Sequence, residues 1–118
     1  MEFYPENLGE DDKPLVNAMG VDYTVGQIKK FILELSCFIS ETAVLEDRET
    51  VLAVLVRLLA FVSMEPVPEG VEPVSDCDRW MALRGLEKIR KDEATGDADK
   101  QQIYILQYLL KGYDCGCR

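Results

Sequence analysis

The chain has 118 residues, 47% of them hydrophobic and 30% charged, with 22 acidic side chains against 13 basic and a net charge of −9. That length suits a single domain, and the apolar fraction is enough for a packed core rather than a disordered chain. There is no histidine, which excludes Ser-His-Asp and Cys-His catalysis and the commonest zinc and iron ligand sets. A surface this negative argues against direct binding of nucleic acid, which needs clustered cations.

The charge is uneven. Residues 1–78 carry 16 acids and 5 bases, while residues 79–118 carry 6 acids and 8 bases. An acidic front and a mildly basic back favour self-complementary packing, within one molecule or between two copies as a homodimer. The opening Met1-Glu2-Phe3-Tyr4-Pro5 lacks the basic-then-apolar order of a signal peptide. The longest apolar run, residues 51–62, is interrupted by Arg57 and falls short of the roughly 20 residues a membrane span needs. The expectation is therefore a cytoplasmic protein without membrane contact, its four cysteines mostly held as thiols.

Residues 1–23 contain Pro5, Gly9, Pro14 and Gly20 and read as an acidic loop with one helical turn over 14–19, proline at its first position. A helix is predicted over 25–45. Thr24 and Gln27 have the spacing of a capping box, and Ile28, Phe31, Ile32, Leu35, Phe38 and Ile39 recur at helical intervals. A second helix over 48–64, capped by Asp47, is apolar on nearly every side and so must be buried. Three of the five prolines fall in 65–74, which reads as a stiff, extended connection. A third helix over 76–91 starts at Ser75, with Trp80, Leu83, Leu86 and Ile89 as its apolar stripe and Arg79, Arg84, Lys88, Arg90 and Lys91 as bases. A fourth over 100–111 is capped by Asp99 and stops at Gly112. The fold class that follows is all-α: one compact helical bundle, 1–118, of three to four main helices around a nearly all-apolar central helix.

Few patterns carry chemistry. Cys115-Gly116-Cys117 could chelate a soft metal or cycle as a redox pair, alone or with Cys37 and Cys77. The spacing lacks Cys-x-x-Cys knuckles, so no metal is assigned. Glu46-Asp47-Arg48-Glu49 has the E-x-x-E form of a magnesium-dependent nucleotide hydrolase but no partner motif, and a charge at a helix start explains it more simply. Residues 92–103 miss the glycine and glutamate positions of a calcium loop. Phosphate-binding glycine loops and nucleophile elbows are absent, so neither a cofactor nor catalytic residues are expected.

The reading that remains is a non-enzymatic interaction protein, of the inhibitor, immunity or phage and bacterial regulatory kind by charge and size. Its partner would be a protein with a basic surface. Glu10, Asp11, Asp12, Glu65, Glu69 and Glu72 would supply the charge, and Trp80 beside Arg84 an anchor. A thiolate metal or redox protein using Cys115 and Cys117, and a small magnesium-dependent nucleotide hydrolase, are the alternatives.

Overall fold

The computed structural model describes residues 1–41, 47–70 and 75–112. Three short strands come first, β1 (Glu2–Phe3), β2 (Pro14–Ala18) and β3 (Val21–Thr24). Four helices follow: α1 (Val25–Glu41), α2 (Arg48–Ser63), α3 (Asp76–Lys91) and α4 (Asp97–Gly112). The fold is mostly helical, as expected, but it is not all-α. An antiparallel sheet of order β1-β2-β3 stands where 1–23 reads as a loop.

Local chemistry explains the sheet. The hairpin joins Ala18 to Val21 through Met19 and Gly20, whose φ angles of 55° and 82° both lie in the left-handed region. A two-residue turn of this hand matches the twist of the flanking strands. The Asn17 side chain locks it: Nδ2 donates to Asp22 Oδ1 at 2.8 Å, and Oδ1 accepts from the Gly20 N–H at 3.3 Å. Between Pro14 and Val16 the register slips, leaving Leu15 as a bulge. The bulge turns Leu15 and Val16, adjacent in sequence, both into the core. The Leu15 carbonyl accepts from the Tyr4 N–H at 2.8 Å. Pro14 opens a strand rather than a helical turn, and the one short 3-10 turn of this segment sits instead at Pro5–Asn7.

Helix α1 begins at the predicted capping box. Thr24 Oγ1 accepts from the Gln27 N–H at 3.2 Å, and Gln27 Oε1 accepts from the Thr24 N–H at 2.8 Å. Its described part ends at Glu41; the rest of the predicted helix lies outside the described residues. Helix α2 matches its predicted span to within one residue, but Asp47 makes no side-chain cap hydrogen bond. Helix α3 starts on a complete capping box between Ser75 and Asp78, with bonds of 3.1 and 3.0 Å. Helix α4 begins earlier than expected. The Gly96 carbonyl already accepts from the Lys100 N–H at 2.9 Å, so Asp99 lies inside the first turn rather than at the cap.

The helices pack in chain order, α1 on α2, α2 on α3 and α3 on α4, and α4 returns against α1. The sheet lies at the start of α1, with Tyr23 and Phe31 edge to face at 5.7 Å. Leu15, Ile28, Ile32, Leu55, Leu58, Leu86, Leu106 and Leu109 share one core. Trp80 departs from its predicted place on the apolar stripe: it is 51% exposed, and the buried face of α3 is Ala82, Leu83, Gly85 and Leu86. Among the described residues no helix is long and apolar enough to cross a membrane.

Met19 holds a left-handed conformation that asparagine adopts at much lower cost. Its side chain is 88% exposed, so nothing is lost by replacing it. Met19→Asn should therefore raise stability by about 0.5–1 kcal/mol in urea unfolding; an unchanged or lowered midpoint would show that the turn is not what limits the hairpin.

Candidate interaction surface

Two acidic segments far apart in sequence meet at the C-terminal end of α2. The Gly9 N–H donates to the Val62 carbonyl at 2.9 Å. This seats the loop carrying Glu10, Asp11 and Asp12 beside Met64 and Glu65. Met64 ends α2 in a left-handed conformation, and its N–H and that of Glu65 take up the carbonyls of Phe61 and Ala60. Gly9 fits here for two reasons. Its φ is +82°, and a Cβ added to it would stand 3.1 Å from both Cβ and Cγ of Met64. The last carbonyls of α2 are thus satisfied by backbone N–H groups, and its last turn contains no basic residue. Gly9 thus joins the acidic loop to the negative end of α2, while the carbonyls of Asp11 and Lys13 accept from the Gly26 and Val25 N–H groups at the positive start of α1, so the loop spans two helix ends of opposite polarity.

The four nearby carboxylates do not play one role. Asp11 Oδ1 meets Lys29 Nζ at 3.0 Å, and its carbonyl accepts from the Gly26 N–H at 3.0 Å, so Asp11 ties the loop to α1. Glu10, Asp12 and Glu65 are exposed and enter no ion pair among the described residues. Glu69 is exposed on the turn that ends the described part of the proline-rich segment, and Glu72 lies outside the described residues. The negative field extends onto the sheet. Desolvation first, and then the Glu2 carboxylate that accepts from its hydroxyl at 3.2 Å, push the Tyr4 phenol above its ordinary pKa, and Asp22 and Glu6 add to the shift.

Trp80 and Arg84 belong to a different surface. They stand on α3, exposed, beside a shallow hollow bordered by Gln107 and Lys111 of α4. The Arg79 guanidinium lies 5.9 Å from the Trp80 ring centre. The ion pairs of the α3 bases are local. Arg79 meets Asp76 at 3.5 Å and Arg90 meets Glu87, both within the helix, and no ion pair reaches Arg84 among the described residues. Arg90 also lies 5.8 Å from the centre of the half-exposed Tyr104 ring.

The remaining sequence candidates gain no support. Cys115, Cys117 and Glu46 lie outside the described residues, while Cys37 and Cys77 are exposed thiols on separate helices. Among the described residues no three His, Cys, Asp or Glu side chains gather as a metal site. A cavity of about 410 Å³ lies between α1, α3 and the start of α4. Its lining comes from three helices and the loop between α3 and α4, so no local motif announces it. The chain matches no protein-family model, no curated protein and no solved structure.

Gly9 and Gly20 share a φ of +82°, but nothing lies within 4 Å of a Cβ at Gly20. Gly20→Ala should cost the left-handed backbone penalty alone, about 1–2 kcal/mol. Gly9→Ala should cost visibly more in thermal unfolding, because Met64 must also move. Equal losses would mean that the acidic loop is not held against α2.

Proposed function

We propose that the protein is a non-enzymatic interaction protein, of the inhibitor, immunity or regulatory kind, that engages a basic surface on another protein through its acidic end. The observation that carries this reading is the Gly9–Val62 hydrogen bond, which brings the loop that carries Glu10 and Asp12 to the end of α2, where Glu65 follows. Glu69 and Glu72 add further acid in the sequence of the proline-rich segment. Asp11 is engaged by Lys29 and serves the fold of the site rather than the contact.

A concentrated negative patch of this kind speeds encounter with a cationic surface and suppresses encounter with acidic ones. Where the partner's cations normally hold nucleic acid, the patch competes for them and occludes the site. It needs no bound metal or cofactor, and the protein itself need not touch nucleic acid or membrane. Trp80 and Arg84 form a second contact of opposite sign. A second copy of the chain offers the acidic end that would suit it, which makes a homodimer the simplest self-association. The architecture belonging to this reading is a helical bundle centred on α2, acting in the cytoplasm with reduced thiols.

The test is affinity capture from an extract of the producing cells, with wild type beside a Glu10→Gln, Asp12→Asn, Glu65→Gln variant. Raising salt from about 0.15 M to about 1 M shortens the screening length from about 8 Å to about 3 Å. A true partner should be released over that range, and the variant should retain about tenfold less of it at low salt. A protein held equally by both forms at both salt levels would sink the acidic-end reading.

A further inference from the structure

The cavity between α1, α3 and α4 is built unlike the acidic end. Leu35 and Phe38 of α1 and Ile89 of α3 give its accessible apolar wall, behind which Ile39 of α1 and Ile103 and Leu106 of α4 are packed. Ile39, Ile103 and Leu106 are fully buried or nearly so, whereas Phe38 is 49% exposed and stands where the cavity meets solvent. At about 410 Å³ it falls within the usual range of small-molecule sites, roughly 300–1,000 Å³. An apolar cavity of about 150 Å³ suffices for benzene, so this one has room for a larger hydrocarbon body.

The charged groups at the cavity are unbalanced. Glu34, Asp92 and Asp99 face a single cation, Lys88. Glu34 is drawn toward Lys30 at 3.8 Å, and Asp99 has no ion-pair partner among the described residues. Asp92 ends α3, the negative pole of that helix, and its Oδ1 accepts from the Ala94 N–H at 2.9 Å. The loop behind it is fixed. The Thr95 hydroxyl donates to the Ile89 carbonyl at 2.7 Å, and the Thr95 N–H to the Asp92 carbonyl at 3.0 Å. The mouth therefore needs little ordering before a ligand enters, which removes one cost of binding.

We propose that this cavity is a binding site for a small amphipathic cation, with an alkyl or aryl body between α1, α3 and α4 and an ammonium group among Asp92, Asp99 and Glu34. An anionic ligand of the same shape meets three carboxylates and one lysine and is rejected. A neutral one gains only the apolar wall. The site is independent of the acidic end at α2, and either could fail without the other.

Calorimetric titration and thermal shift with decylammonium, decanol, decanoate and ethylammonium test it. Decylammonium should bind and stabilise, decanol more weakly, and decanoate and ethylammonium not at all. Asp92→Asn with Asp99→Asn should weaken decylammonium about tenfold and leave decanol unchanged. Ala94 is exposed at the cavity, so Ala94→Trp blocks it without touching the core, and circular dichroism checks that the fold persists. Binding of decylammonium should then be lost. The proposal is overturned if no ligand stabilises the protein, if decanoate matches decylammonium, if ethylammonium binds as well, or if Ala94→Trp binds decylammonium unchanged.

Discussion

Helix α2 has almost no face that can be left to water, and the rest of the chain is arranged around that fact. Val51, Val54, Leu55, Leu58, Ala60 and Val62 are buried, while Leu52, Ala53, Leu59 and Phe61 are partly buried against the same core. One neighbouring helix covers less than half of a cylinder, so α2 takes two, α1 before it in the chain and α3 after it. Helix α4 packs on the outer flank of α3 and closes onto α1. The end of α2 is covered differently. Its final carbonyls accept from Met64, Glu65 and Gly9, so a loop from the first tenth of the chain completes a helix from its middle. The acidic end exists because α2 had to be finished from outside.

How much of this could be read from the residues varies by element. The helices were legible because their signals are local. Thr24 with Gln27, and Ser75 ahead of an acidic first turn, mark starts by hydrogen-bonding chemistry that operates within four residues. Where two such signals compete, tertiary context decides: Asp47 and Asp99 both look like caps, and neither caps. The sheet was hidden by its own construction. The Leu15 bulge puts adjacent residues on one face and erases the period of two, Pro14 imitates a helix start, and the turn uses Met19 where asparagine would have announced it. Trp80 was misplaced for a geometric reason. Steps of three residues drift by about 60° each around a helix, so a stripe counted as 80, 83, 86 and 89 does not stay on one side. The true inner face steps through Ala82, Leu83, Leu86 and Ile89.

The site followed the same division. That Glu10, Asp12 and Glu65 carry unbalanced charge is visible in composition; that the loop of Glu10 and Asp12 meets the end of α2 at all depends on a single backbone bond between Gly9 and Val62. Asp11, indistinguishable from its neighbours in sequence, is set apart by Lys29. The cavity was illegible altogether. Phe38 looks like a core residue by spacing, and Asp92 to Asp99 look like a solvated turn. Only the crossing of α1 with the start of α4 puts them around a common space.

The hydrogen bond from the Tyr108 hydroxyl to the Met1 carbonyl spans 107 positions. The N-terminal residues therefore find this partner only after Tyr108 has been synthesised. The contacts from α1 to α2 to α3 to α4 are each between neighbours and can form as the chain emerges. Among the helix contacts, the closure of α4 onto α1 joins the pair farthest apart in the chain and so bears the largest loop entropy. Until it forms, Phe38, Ile39, Ile103 and Leu106 present apolar surface from two unjoined edges. A molecule bridging those edges would act on the maturation of the protein as well as on its finished form.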